Sequence, residues 1–239
     1  MRIVLAALVA AMAGCVQGPA TEEGEAAIVG GQLEAGHPAV GLVTIDAGGG
    51  WVSNCTGTLV SDRVLVTAKH CVTESTTPDQ VFFEAAGAHA AGTLLVFWPG
   101  FRNDDAPPPD DILVVLLDSS IPVEPVPVRR EAMGPDQVGE QVLHVGFGDT
   151  RLAAYDSGTK RSGPSTIDWV GGNSFWTARA DETQATICQG DSGGPVLLNG
   201  EVAGVVSATA DGCTSAGVHT RVDRYVEAVD LAIQRAGGQ

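Results

Sequence analysis

The chain has 239 residues, 44% of them hydrophobic, enough apolar material to bury a core and too much for a disordered tail. Its 29 acidic residues against 13 Lys and Arg give a formal net charge of −16, which argues against nucleic acid as a partner because phosphate binding needs the opposite sign. The 31 glycines and 13 prolines, with few long helical patterns, favour an all-β protein with many turns.

The first residues read as a targeting segment. Met1-Arg2 is a short basic start, and Ile3–Ala13 is apolar but too short to span a bilayer. Two cleavage readings compete. Ala11-Met12-Ala13 fits the small-x-small rule of ordinary signal peptidase, whereas Met12-Ala13-Gly14-Cys15 looks like a bacterial lipobox that would place a lipid on Cys15. The lipobox is preferred because the cysteine count supports it: with Cys15 outside the folded region, Cys55, Cys71, Cys188 and Cys213 remain to form two disulfides in an exported protein. Chain order alone allows three pairings. The expected layout is a leader over 1–14, an acidic tether over 15–27 and one folded region over 28–239.

From Val40 onward, short apolar runs alternate with turn signals. Residues 41–45, 57–60, 63–68, 80–85, 92–98 and 111–117 read as strands, as do 141–147, 166–170, 174–180, 195–198, 201–209 and 217–222. Asn199-Gly200 between two such runs is the pair a type I′ hairpin needs. The proline-rich run 121–128 cannot sit in a central strand and reads as a connector between two halves, about 28–125 and 126–221. Val222, Tyr225, Val226, Val229 and Ile233 fall at helical spacing, which predicts a terminal amphipathic helix over about 222–236 with Asp223 as its cap. The five histidines (37, 70, 89, 144 and 219) are scattered and no Cys/His spacing suits a metal, so neither metal nor cofactor is expected.

Three segments hold the residue types of nucleophilic acyl transfer. CQGDSGGPV (188–196) presents Ser192 among glycines, TAKHC (67–71) supplies His70, and DDILVVLL (110–117) supplies a carboxylate at the mouth of a buried strand. A serine hydroxyl is a poor nucleophile at neutral pH. It needs a base within hydrogen-bond reach, and the base needs a third group to hold its tautomer. Each motif is weak alone; in the order His, Asp, Ser and following IVGG (28–31), they reinforce one another.

Together IVGG, TAKHC, DIL (111–113), GFGD (146–149) and CQGDSGGP (188–195) resemble the chymotrypsin/trypsin-like serine peptidases, over essentially all of 28–239, and the leader suggests a bacterial, exported member. The resemblance implies an all-β fold of two six-stranded antiparallel barrels with the site in the cleft between them. It implies Ser192 as nucleophile, His70 as general base and acid, and Asp111 as the group that orients His70. Asp111 is chosen over Asp110 because the family pattern is acid, β-branched residue, then a continuous apolar strand. The N–H groups of Gly190 and Ser192 are the implied oxyanion hole. The implied disulfides are Cys55–Cys71 and Cys188–Cys213.

The resemblance also gives the junction at Ala27-Ile28 a purpose. Cleavage there would create an ammonium that folds inward to pair with Asp191, so that the nucleophile loop sets properly only after activation. The primary pocket is expected from Thr186, Ser207, Thr209 and Gly217. Thr186 stands where trypsins have an acid, which with Ala27 before the cut suggests small or medium apolar substrate residues and self-activation. Three departures stand out: Lys69 immediately before His70, Ala208 in place of a common tryptophan, and the acidic, proline-stiffened segment 103–111 bordering the cleft. Expected partners are protein or peptide substrates and an activating peptidase, or the protein itself. Contact with a membrane is expected only through a lipid on Cys15, and the mature enzyme as a monomer. Two other readings are a catalytically silent binding homologue and an α/β-hydrolase esterase, in which Gly190-x-Ser192-x-Gly194 is the nucleophile elbow with Asp211 and His219.

Overall fold

The computed structural model describes residues 28–46, 48, 52–97, 110–210 and 212–237. The leader, Cys15, the tether with Ala27, positions 103–109 and Asp211 lie outside the described residues.

The first barrel is built from β2 (Val40–Asp46), β3 (Val52–Leu59), β4 (Val64–Thr67), β5 (Val81–Ala85), β6 (Ala88–Phe97) and β7 (Leu113–Leu117), following the short β1 (Gln32–Leu33). It closes in the order β2-β3-β4-β7-β6-β5. The runs VLVT and LVVLL of β4 and β7 are buried throughout, while VFFEA of β5 alternates buried and exposed as a barrel wall with one wet face must. The second barrel comprises β8 (Gln141–Gly146), β9 (Arg161–Gly171), β10 (Ser174–Ala178), β11 (Pro195–Leu198), β12 (Glu201–Thr209) and β13 (Ala216–Arg221). Its order is β9-β10-β13-β12-β11-β8, closed by pairing of β8 with β9, and β1 adds to the free edge of β9. Every strand pair is antiparallel, so the parallel sheet that an α/β-hydrolase needs is not this architecture.

Asn199 and Gly200 both have positive φ, 53° and 83°, and form the tight β11–β12 hairpin that their sequence predicts. A second such hairpin joins β5 to β6 through Ala86 and Gly87, at φ 51° and 78°. The proline-rich connector runs between the barrels: the Val126 N–H donates to the Leu59 carbonyl on one side, and Val202 donates to Pro127 on the other.

The terminal helix α1 spans Val226–Gly237, starting later than its periodicity predicts. Residues Val222–Arg224 instead form a 3-10 turn. The reason is that Asp223 does not serve as a helix cap: Arg221 takes its carboxylate through Nε at 3.0 Å and Nη2 at 2.5 Å, and the Met133 N–H donates to it at 3.2 Å. Val229, Ala232 and Ala236 of α1 join a core shared by the first barrel and by Val145, Leu197, Val202 and Val205 of the second. A separate cluster, including Ile28, Phe175, Ile187 and Val206, fills the second barrel.

Candidate active site

His70 sits in a 3-10 turn, Lys69–Cys71, directly after β4, and Cys71 is bonded to Cys55 on β3. Register then places its partner. Thr67 of β4 pairs with Leu113 of β7, so Asp111, two residues before β7, lies beside the histidine turn. The fully buried Asp111 carboxylate accepts the His70 Nδ1–H at 2.6 Å, the His70 backbone N–H at 2.9 Å and the Ser207 hydroxyl at 2.5 Å. Ser207 reaches it because β12 bulges there: Val206 pairs with His219 and Ala208 with Val218, leaving Ser207 as the extra residue. Asp110 faces elsewhere, accepting from Asn173 Nδ2 at 2.8 Å and from the Tyr225 hydroxyl.

Ser192 comes from the loop between β10 and β11, pinned by the Cys188–Cys213 disulfide. Its Oγ is 2.9 Å from His70 Nε2, which completes a Ser–His–Asp chain across the interface of the two barrels. Thr56 of β3 straps the loop to the first barrel: its N–H donates to the Ser192 carbonyl and its hydroxyl to the Gly190 carbonyl, both at 2.8 Å. Gly193 adopts φ +84°, and a Cβ there would lie 2.1 Å from Thr67 Oγ1 and 2.3 Å from the Thr56 carbonyl, so only glycine lets the loop approach β3 and β4. The N–H groups of Gly190 and Ser192 find no acceptor among the described residues. A hydroxyl, a base in reach, a carboxylate behind the base and two open N–H donors are the parts of acyl transfer.

The residues expected to line the pocket differ in what they do. Thr209 pairs with Gly217 across β12 and β13, and its hydroxyl accepts the N–H groups of Gly212 and Cys213. Thr186 is buried and donates its N–H to the Val29 carbonyl at 3.0 Å. Lys69 is buried beside the triad; burial pushes its ammonium down to about 8, against the opposing pull of Asp111, Glu74 and Asp110. The grouping of Cys55, His70 and Cys71 is no metal site, since both sulfurs are consumed by their disulfide.

Asp191 is fully buried and accepts only the N–H groups of Gly148 and Cys188, each at 2.8 Å, with no cation beside it among the described residues. Burial pushes its carboxyl up to about 7, the two N–H donors working against that rise and the nearby Asp149 charge adding to it. GFGD supplies the cradle: a Cβ at Gly146 or Gly148 would strike the Asp191 carboxylate at 2.2 or 2.5 Å. Ile28 is also fully buried, and Val29 bridges to Thr186, which brings the start of IVGG alongside the segment that leads to Asp191.

A family model described as Trypsin matches residues 28–229. This chain belongs to the trypsin family. Its relatives include trypsin V-A of Rattus norvegicus, 27% identical over 92% of this chain and 95% of the relative. A trypsin of Saccharopolyspora erythraea is 27% identical over 80% and 90%. Among solved structures, neuropsin, a serine protease expressed in the limbic system of mouse brain, superposes with a TM-score of 0.72 at 20% identity, covering 85% of this chain and 98% of its own. The inactivated protease paralogue S-D1 of the scabies mite superposes with a TM-score of 0.73 at 18% identity, covering 87% and 98%. These structural likenesses concern the fold, and the mite protein shows that the fold alone does not guarantee activity. As a trypsin-family member, the chain is a serine endopeptidase. Two contacts carry no signature in the sequence: the Thr56 hydroxyl donates to the Gly190 carbonyl, and the hydroxyl of Ser207, one of the residues expected at the pocket, donates to Asp111.

Proposed function

We propose that this trypsin-family peptidase hydrolyses peptide bonds through an acyl-enzyme on Ser192. The Ser192 hydroxyl attacks the scissile carbonyl while His70 Nε2 takes its proton, and Asp111 holds Nδ1–H and offsets the imidazolium charge. The carbonyl oxygen, now negative, is met by the N–H groups of Gly190 and Ser192. Collapse expels the amine, which receives the proton from His70. Water then attacks the acyl ester with His70 again as base, releasing the acid and restoring Ser192. The observation that carries this reading is the continuous chain Asp111–His70–Ser192 at 2.6 and 2.9 Å. It also weighs against a silent binding homologue.

The peptidase is made as a zymogen, activated by cleavage before Ile28. A buried carboxylate without a cation is costly, and Asp191 is such a group; Val29, next to the buried Ile28, bridges to Thr186 on the segment that leads to it. A new ammonium at Ile28 supplies the missing charge. The absence of an acid at Thr186 favours small or medium apolar residues at the cleaved bond, and Ala27 satisfies that preference. The two disulfides fit an exported enzyme, with Cys15 as the site of a lipid on the precursor.

The experiment is intact mass of the exported wild type and of Ser192→Ala, together with peptide-library cleavage by each. Wild type should begin at Ile28 and cut after Ala, Val or Leu, and the variant should keep its tether and cut nothing. Cleavage by Ser192→Ala at the wild-type rate would overturn the mechanism. Cleavage after Arg or Lys would overturn the specificity, and full activity of an uncut wild type would overturn the zymogen.

A further inference from the structure

The peptide unit joining Gln189 to Gly190 carries both the Gln189 carbonyl and the Gly190 N–H, and in a planar trans unit these point in opposite directions. Whatever fixes the carbonyl therefore aims the N–H. The fixing group is the backbone N–H of Asp149, which donates to the Gln189 carbonyl at 2.6 Å.

Asp149 is itself held by its own side chain. Asp149 is 4% exposed, and its Oδ1 accepts the N–H groups of Asp156 at 3.1 Å and Ser157 at 3.0 Å, while Oδ2 accepts that of Tyr155 at 3.3 Å. Asp156 answers from the far side, accepting the Thr150 N–H at 2.9 Å and its hydroxyl at 2.6 Å. The segment is thereby folded back on itself although Ala153 and Tyr155 must take φ of 57° and 56°, a region that L side chains with a Cβ avoid. Its inner face lies on the oxyanion loop: a Cβ on Gly190 would sit 2.9 Å from Gly148 Cα and 3.4 Å from Ser157 Cβ.

We infer that Asp149 is a positioning residue for the reaction: its carboxylate folds residues 149–157 so that its own N–H locks the Gln189–Gly190 peptide with the Gly190 N–H presented to the oxyanion. The inference rests on the proposed role of Gly190 as an oxyanion donor. Without the carboxylate three backbone N–H groups lose their acceptor, the segment loosens and the peptide unit is free to turn. Asp149→Asn keeps an acceptor for Asp156 and Ser157 but sets an amide against the Tyr155 N–H, so it should fall between wild type and Asp149→Ala.

The test compares the active enzyme obtained from the full chain with its Asp149→Ala and Asp149→Asn variants. Turnover of a peptide amide is measured, and the acidity of the hemiketal formed with a carbon-13-labelled peptide chloromethyl ketone is read by NMR. Loss of one oxyanion donor lowers kcat by about 100- to 1000-fold in full, so a loosened donor in Asp149→Ala should cost about 10- to 100-fold with KM nearly unchanged. The hemiketal should become a weaker acid by about the same factor, and Asp149→Asn should show a smaller change in both. An unchanged hemiketal acidity in Asp149→Ala would overturn the role of Asp149, even if the melting temperature fell. If wild type formed no hemiketal at all, the underlying reading of Ser192 and Gly190 would fail instead.

Discussion

Two hydrogen-bonded serine–histidine pairs occur among the described residues, and comparing them shows what a nucleophile requires. His70 Nε2 lies 2.9 Å from Ser192 Oγ, and His144 Nε2 lies 2.6 Å from Ser165 Oγ. By hydrogen-bond length alone the second pair is the better one. It lies fully inside the second barrel, however, where no peptide can reach, and its Nδ1 has no partner among the described residues. Burial pushes the His144 imidazole down to about 4, so it is a weak base as well as an inaccessible one. His70 keeps 36% of its side chain exposed and has Asp111 behind it. Access and the third group separate the two pairs.

The sharpest way to break this comparison is to remove each serine in turn. Ser192→Ala should lower kcat by on the order of a millionfold, whereas Ser165→Ala should leave peptidase activity within about twofold, as measured on one amide substrate. Next comes the third group. In Asp111→Asn an amide N–H meets His70 Nδ1, forcing the ring proton onto Nε2, where it faces Ser192 and abolishes the base; on the scale known for such triads kcat should fall about 10⁴-fold. Thermal unfolding should show that loss to be far larger than any change in stability.

Gly193→Ala tests whether the first pair depends on contact between barrels. Its Cβ overlaps Thr67 and Thr56, so the nucleophile loop must lift. Stability should fall by about 1–3 kcal/mol in denaturant titration, with a larger drop in kcat.

The smallest effect belongs to the buried pair and concerns pH. His144 is held near 4 in the folded protein and returns to about 6.5 on unfolding, so the unfolded chain binds more protons below about 6.5. Stability is then complete above that value and is lost as pH falls toward 4, by about 2 kcal/mol from this one group at pH 5. His219, also lowered by burial and by the neighbouring His144, pushes the same way. His144→Met should flatten the fall in melting temperature between pH 7 and 5 without moving kcat. An unchanged slope would mean that the pair is not the acid-sensitive element.

The candidate set His70, Asp111 and Ser192 was legible in sequence through the family resemblance of its motifs, each of which lies near the end of a recognisable strand. Asp111 was preferred to Asp110 only through the resemblance, whose pattern is an acid, a β-branched residue and then an apolar strand; in the structure it lies just before β7 and accepts the His70 Nδ1–H. What was not legible depends on register or on distant partners. Ser207 turns to Asp111 only because β12 bulges there, and Thr56 reaches the nucleophile loop across 134 positions of chain. The start of β6 at Ala88 was missed because Ala86 adopts the left-handed conformation that the sequence gives no reason to assign to alanine. The helix began late because Arg221 captures Asp223, a competition between two neighbours that periodicity cannot register.

The most direct test of the central claim is to label the active protein with a fluorophosphonate and locate the adduct by peptide mass. The account predicts one adduct, on Ser192, retained in Ser165→Ala and lost in Ser192→Ala together with hydrolysis. An adduct on Ser165, or hydrolysis that survives Ser192→Ala, would contradict it.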